Sequence, residues 1–172
     1  MRATLTSIQP PHTDNIFDFV KGIEWRTKPL PTGKHYCYET KNGGGCGKVI
    51  GEFTIWSVKG YKNASHIPVN YIDLGCVPRE FLMTYSKGKR IYANFIVNPI
   101  RYDEPKELSE FYVEGDCDCM NCKKCAWFDK GNGYNVEDDC NLAYKGIAEH
   151  KAYKPIIRPP QSWCYVEDLE GE

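Results

Sequence analysis

The chain has 172 residues, of which 41% are hydrophobic and 26% charged, as in an ordinary globular domain with a sizeable core. It has no apolar run of 18 residues and begins without the apolar region of a secretory signal, so we expect a cytoplasmic protein that does not enter a membrane. Residues 1–102 carry 14 basic and 7 acidic side chains, and residues 103–172 carry 8 and 16. The basic first half favours an anionic ligand, although two complementary solvated surfaces would give the same balance.

Short elements joined by turns are predicted along the first half of the chain. Residues 4–8 have the composition of a strand, and a short helix follows that is capped by Thr13 or Asp14 and ended by Gly22. The next predicted strands are 22–28, 34–41 and 48–60. Within the last of these, Gly51 indicates a bulge or the close approach of another backbone.

The second half of the chain adds fewer regular elements. They are a helix over 78–87, a strand over 90–102, a turn or short helix over 104–112 and a final strand over 161–169. Five or six mostly non-sequential strands with two or three short helices predict an α+β fold built on a small mixed β-barrel. We expect one domain over residues 1–172, interrupted by an insertion at about 114–154.

The insertion is rich in cysteine and acidic residues and poor in aliphatic ones, so it cannot form a core of its own. Its clustered thiols favour metal ligation over a disulfide scaffold. Four of five cysteines would hold one structural zinc ion, the candidates being Cys117, Cys119, Cys122, Cys125 and Cys140. The spacing does not choose between Cys117 and Cys119, and His150 is a weaker candidate. An iron–sulfur cluster fits the same ligands, and a metal-free reduced loop is the alternative.

Charged residues cluster around the second predicted strand. Side chains alternate between the two faces of a strand, so Glu24 and Arg26 share one face while Ile23 and Trp25 take the other. Lys21 precedes them, which gives two donors and one acceptor at close range. An arginine fork suits a phosphate or a base edge, and a carboxylate can accept from an exocyclic amine. The alternative is an ion pair on the surface.

The segment over residues 7–26 resembles the opening of an ASCH domain of the PUA-like type, with a strand, a proline, a short helix and a G-x-K-x-x-E-x-R signature. Lys21, Glu24 and Arg26 fill the charged positions of that signature, and Phe19 stands at its usual glycine. Further segments similar to phage and bacterial members are 47–55, 95–111 and 158–167. The resemblance covers residues 4–112 and 156–169 and leaves the cysteine-rich segment as an insertion.

The ASCH resemblance implies a β-barrel with a cleft beside the first helix, which binds RNA or a modified nucleotide and in some members acts in regulation. It also implies a possible enzyme, because some small bacterial members hydrolyse acetylcytidine with the signature lysine. Lys21 matches that lysine, and Glu24 takes the position of the assisting hydroxyl. Glu80 and Asp73 are the candidates for a second carboxylate.

Three functions follow from these patterns. The first is binding of RNA or a modified nucleotide, with Lys21 and Arg26 on a phosphate or base edge and Glu24 as the selective acceptor. An aromatic residue, Tyr38, Tyr36 or Trp56, would stack on a base. Ser162 would add one further polar contact. The second is a small amidohydrolase acting on acetylated cytidine, with Lys21 as base or nucleophile. The third is a protein-interaction module that uses the zinc-bound acidic insertion.

Overall fold

The computed structural model describes residues 2–115 and 152–169. Its strands are β1 (Arg2–Ile8), β2 (Ile23–Arg26), β3 (Gly33–Glu39), β4 (Val49–Tyr61), β5 (Ile91–Lys106), β6 (Tyr112–Gly115), β7 (Ala152–Pro155) and β8 (Trp163–Glu167). Its α-helices are α1 (His12–Phe17), α2 (Val69–Gly75) and α3 (Arg79–Ser86), with short 3₁₀ turns at Ala64–His66 and Leu108–Glu110. None of these helices is long and apolar enough to cross a membrane.

Six strands form one curved mixed sheet in the order β2-β5-β4-β3-β1-β8. β1 and β3 are parallel, and the other neighbours are antiparallel. Three strands separate β2 from β1 in the sheet, yet Arg26 at the end of β2 donates from Nη2 to the carbonyl oxygen of Ser7 near the end of β1, at 2.7 Å. The sheet therefore curls until β2, at one edge, reaches β1, next to the other edge. The predicted α+β fold, with a mixed barrel of six strands and short helices, is confirmed.

A separate two-stranded ladder joins β6 to β7, with Gly115 and Ala152 as register partners. The segment between these two residues therefore leaves and re-enters the fold at one place. All five predicted cysteine ligands belong to that segment and lie outside the described residues. Within residues 2–115 and 152–169, no group of three histidine, cysteine or acidic side chains is arranged to hold a metal ion.

The first helix differs from its predicted form at both ends. Thr13 does not cap it, because the Thr13 side chain is buried and its hydroxyl donates to Glu39 Oε1 at 2.8 Å, which ties α1 to β3. The helix ends at Phe17, well before Gly22. The residue with left-handed backbone after the helix is Phe19, at φ 60°. The long-range bond to Glu39 is what the local capping pattern could not anticipate.

β5 is longer than predicted and runs to Lys106. Its pairing with β4 shifts register where Thr54 pairs with Val97 but Glu52 pairs with Ile100, so one extra residue is accommodated. Pro99 lies in this bulge, where a residue without an N–H does not interrupt the ladder. The strand can therefore pass a proline and continue into the region predicted as a turn.

Two hydrophobic clusters position the site. One fills the barrel beneath α1 and includes Ile8, Ile16, Phe17, Phe53 and Ile55. The other packs α2 and α3 against β2 and β5 and includes Ile23, Trp25, Val77, Leu82 and Ile91. The predicted alternation along β2 is thus confirmed for Ile23 and Trp25, whose side chains lie in the second cluster. The opposite face of β2 is left for Glu24 and Arg26.

Candidate functional site

A cavity of about 320 Å³ opens between the end of β1, the start of α1, β2 and α3. Its polar lining comes from Ser7, Gln9, His12, Lys21, Glu24, Arg26, Thr40, Asn42 and Gln161. Its apolar wall comes from Ile8, Trp25, Val77, Phe81, Leu82 and Tyr85. The volume lies at the lower end of the range for small-molecule sites, so it suits one ligand of nucleotide size. The three signature residues therefore meet in one concave site beside the first helix.

Glu24 lies between the two cations of the signature. Its Oε1 accepts from Arg26 Nε at 2.9 Å, and its Oε2 lies 3.5 Å from Lys21 Nζ. Lys21 is 2% exposed and Glu24 is 6% exposed, so the alternative of a solvated surface ion pair is wrong. Breaking a buried pair of this kind leaves an uncompensated charge, so the cluster also stabilises the fold.

Lys21 reaches the site from the segment after α1, with its backbone N–H bound to the carbonyl oxygen of Asn15 at 2.8 Å. Its ammonium group donates to the carbonyl oxygen of Gly75 at the end of α2. Helix C-terminal carbonyls attract cations, so α2 holds the lysine in place. An ammonium has three hydrogens to donate. The Gly75 carbonyl oxygen and Glu24 take two of them, which leaves one for a ligand.

The guanidinium group of Arg26 donates mainly to other residues of the protein. Besides its bonds to Glu24 and Ser7, Nη1 donates to Ser162 Oγ at 3.4 Å. Ser162, just before β8, is thus connected to the site by its hydrogen bond with Arg26. Two of the five guanidinium hydrogens remain for other partners. Arg26 consequently acts chiefly to hold Glu24 and the barrel ends, with limited capacity for a ligand.

The charge state of the cluster follows from its neighbours. Burial by itself raises the pKa of Glu24, but Arg26, then Lys21 and His12, outweigh burial and bring that pKa below its usual value. Glu24 is therefore a carboxylate at neutral pH, and with Lys21 and Arg26 the buried group carries one net positive charge. Such a group favours an anionic or hydrogen-bond-accepting ligand.

His12, the first residue of α1, is a cavity residue that the sequence did not single out. Its Nδ1 is buried and has no hydrogen-bond partner among the described residues. Burial and then the charge of Lys21 lower the pKa of His12, while Glu24 opposes them, so the ring is neutral at neutral pH. A buried polar atom without a partner costs free energy unless a ligand or water satisfies it. The only local signal was a histidine directly after two prolines.

Two exposed aromatic side chains on α3 form the rim of the cavity. Phe81 is 56% exposed and Tyr85 40% exposed, and their rings lie 6.3 Å apart at an interplanar angle of 11°. The sequence analysis missed this pair. The sequence could have indicated it, because Phe81 and Tyr85 are four positions apart, which places both side chains on one face of a helix.

The other predicted site residues lie elsewhere. Tyr38 and Tyr36 are buried together in a third hydrophobic cluster with Phe111, because β3 turns both toward the core, and neither lines the cavity. Trp56 is exposed and packs against Phe95. The second-carboxylate candidates, Glu80 and Asp73, are exposed and do not line the cavity.

Comparison with known proteins gives structural neighbours only. No protein-family model matches the chain, and no curated protein matches its sequence significantly. Among solved structures, an ASCH protein from Zymomonas mobilis aligns with a TM-score of 0.57 at 16% identity, over 96% of this chain and 87% of its own. A serine-to-alanine variant of that protein aligns at 0.59 and 14% identity, over 96% and 88%. A tyrosine-to-phenylalanine variant aligns at 0.51 and 19% identity, over 62% and 76%.

The mixed barrel with a charged cleft beside its first helix defines a PUA-like α+β fold. More narrowly, it is the fold of ASCH proteins, as the Zymomonas mobilis structures show. The resemblance seen in the sequence is therefore confirmed at the level of the fold.

Proposed function

We propose that the chain binds RNA or a modified nucleotide in the cavity, in a role that is regulatory in some proteins of this fold. The observation that supports this most strongly is the buried group of Lys21, Glu24 and Arg26, which bears one net positive charge and faces a nucleotide-sized cavity with aromatic side chains at its rim. Lys21 would contact a phosphate or a carbonyl of the base, and Glu24 would accept from an exocyclic amine. Phe81 and Tyr85, at the cavity rim, replace Tyr38 as the aromatic side chains available for stacking on a base of the ligand.

Isothermal titration with each ribonucleoside 5′-monophosphate, and with acetylated cytidine, tests this proposal. We expect binding that weakens as salt is added, because the charged contacts are screened. Lys21→Met should lower the affinity at least tenfold. Lys28→Met is the matched control, since Lys28 is exposed and follows β2 outside the cavity, and it should leave the affinity unchanged. Equal effects of the two substitutions, or binding by neither the parent nor the control, would refute the proposal.

A second candidate, hydrolysis of acetylated cytidine, is favoured by His12. A neutral imidazole whose Nδ1 has no hydrogen-bond partner among the described residues, in the same cavity as Lys21 and Glu24, can accept a proton from water. Water would add to the acetyl carbonyl carbon and the C–N bond would break, releasing acetate and cytidine. Acetate release that is lost in Lys21→Met and in His12→Ala would establish this activity, whereas binding without turnover by the parent protein would leave binding as the function.

The zinc ion and the docking role of the acidic insertion remain proposals that concern the segment outside the described residues. Support for them comes from the spacing of Cys117, Cys119, Cys122, Cys125 and Cys140. The ladder of β6 and β7 pairs Gly115 with Ala152, the described residues that flank that segment, so its two ends start close together, as closure by one metal requires.

A further inference from the structure

The exposed face of α3 has no role in the packing of the described fold. Leu82 and Ser86 are the buried residues of this helix, and Leu82 alone joins the hydrophobic cluster beneath it. Phe81 and Tyr85 lie on the solvent side with their rings stacked, and they border the cavity. Large aromatic side chains exposed together are typical of a binding surface.

Basic residues follow directly after the end of the helix in the chain. Lys87, Lys89 and Arg90 are all exposed, and residues 81–92 contain no acidic side chain. None of the three forms an ion pair with a residue in the described ranges. The backbone that carries them is held in place, because the N–H of Lys87 bonds to Thr84 and that of Lys89 bonds to Ser86.

Building on the proposed binding function, we propose that α3 and residues 87–90 form a binding strip for single-stranded RNA that leads out of the cavity. One base would occupy the cavity, the adjoining base would stack on Phe81 and Tyr85, and the following phosphates would lie on Lys87, Lys89 and Arg90. Aromatic platforms followed by basic side chains are how proteins hold single strands without reading their sequence. In a duplex the bases are stacked on each other, so the aromatic pair selects against a double helix.

Fluorescence anisotropy with a labelled oligonucleotide of about ten nucleotides, within the usual range for single-strand sites, tests the strip. The double substitution Lys87→Gln/Lys89→Gln should weaken oligonucleotide binding about tenfold. It should also reduce the slope of log affinity against log salt by about 1.4, the value for two lost phosphate contacts on a single strand. Ribonucleoside monophosphate binding in the cavity should not change.

Lys48→Gln/Lys106→Gln is the charge-matched control. These lysines lie near the far end of β5, where Val49 pairs with Lys106, and the strip adjoins the start of that strand. The control should bind the oligonucleotide as the parent does. Equal losses in the two double variants, or equal affinity for a duplex of the same sequence, would overturn the strip.

The aromatic step has its own test. Phe81→Ala/Tyr85→Ala should weaken oligonucleotide binding about tenfold, whereas Phe81→Tyr/Tyr85→Phe should retain it, because base stacking needs the rings and not the hydroxyl. No loss in the alanine variant would overturn the stacking role.

The two proposals can fail separately. Oligonucleotide binding that depends on Lys87 and Lys89 supports the strip even if no monophosphate binds in the cavity. The absence of monophosphate binding overturns the cavity function alone. Monophosphate binding that depends on Lys21, with equal oligonucleotide affinity in both double variants, overturns the strip alone.

Discussion

Arg26 and Ser7 join β2, at one edge of the curved sheet, to β1, next to the opposite edge, through a 2.7 Å hydrogen bond from a side-chain Nη2 to a backbone carbonyl oxygen. The same guanidinium holds Glu24 through Nε at 2.9 Å. One side chain therefore closes the barrel and fixes the acceptor in the cavity, so the stability of the fold and the geometry of the site depend on each other.

Arg26→Lys tests whether the stability of the fold depends on the hydrogen-bond geometry of Arg26 and not only on its charge. Lysine keeps the positive charge, but its single nitrogen does not reproduce the separate Nε and Nη2 donors of Arg26, so the bonds to Glu24 and Ser7 are weakened. We expect the free energy of unfolding to fall by about 1–3 kcal/mol, as measured by urea denaturation. Arg90→Lys, at an exposed position, should change it by less than about 0.5 kcal/mol. An Arg26→Lys protein as stable as the control would show that the closure contributes nothing.

Glu24→Gln should leave the buried Lys21 and the partly buried Arg26 without a counter-ion. At neutral pH we expect a loss of about 3–5 kcal/mol in the free energy of unfolding. Since the pKa of folded Glu24 lies below its ordinary value of 4.5, the stability it contributes is complete above pH 4.5 and is lost as the pH falls through the folded pKa. Urea denaturation between pH 7 and pH 3 should therefore show the parent and the variant converging in acid. A constant difference would contradict the assignment.

His35 should make the fold sensitive to mild acid. Burial lowers the pKa of His35 to about 4 from 6.5, although its hydrogen bond to the Pro31 carbonyl oxygen opposes this. The unfolded chain therefore takes up this proton first, so the free energy of unfolding falls as the pH drops from 6.5 to about 4 and the effect then levels off. The full effect is about 3 kcal/mol at 1.36 kcal/mol per pKa unit. Urea denaturation of His35→Gln should show a shallower slope over that interval, and an unchanged slope would exclude His35 as its source.

Phe19→Gly should stabilise the protein. Phe19 has φ 60° and is 76% exposed, so its side chain incurs the left-handed penalty of about 1–2 kcal/mol with little burial in return. Glycine removes that penalty but adds freedom to the unfolded chain, which leaves a gain of about 0.5–1 kcal/mol. Thermal unfolding measures the change. Val20→Gly, at an exposed neighbour without positive φ, should instead lower the midpoint, and a decrease in both variants would contradict the strain.

Purified protein should contain about one zinc ion per chain, the number that four cysteine ligands hold. Elemental analysis measures the metal and also separates zinc from iron. Cys122→Ser should abolish retention, and Cys46→Ser is the control, because Cys46 is exposed and lies in the loop after β3. Metal-free protein, or loss in the control alone, would refute the zinc proposal.

Local patterns predicted the parts of the site that depend on neighbouring residues. The alternation of β2 placed Ile23 and Trp25 in the core and brought Glu24 and Arg26 to one face, because strand parity is a property of consecutive residues. Gly51 also met its predicted role, since a Cβ there would overlap the backbone carbonyl oxygen of Ile100 as well as the ring of Phe17, and the β4–β5 register shifts beside it. Glycine at this point lets α1 pack closely on β4.

Long-range contacts account for what the sequence did not predict. Lys21 is held by the carbonyl oxygen of Gly75, 54 positions away, on a helix of 7 residues that is too short to show a clear period. His12 reaches the cavity only because the barrel brings β2 beneath α1. Tyr38 was misplaced because an aromatic residue in a strand can face either the core or a ligand, and the sequence alone does not distinguish the two.

Trp25 contributes to the cavity wall and to the core beneath α2, and a Cβ on Gly75 would overlap its indole nitrogen. That nitrogen is buried without a hydrogen-bond partner among the described residues. Because the Trp25 side chain also lines the cavity, we expect its emission spectrum to respond to the polarity of what occupies the cavity. With phenylalanine at Trp56, Trp127 and Trp163, the three other tryptophans, the chain would provide its own label-free optical sensor of occupancy.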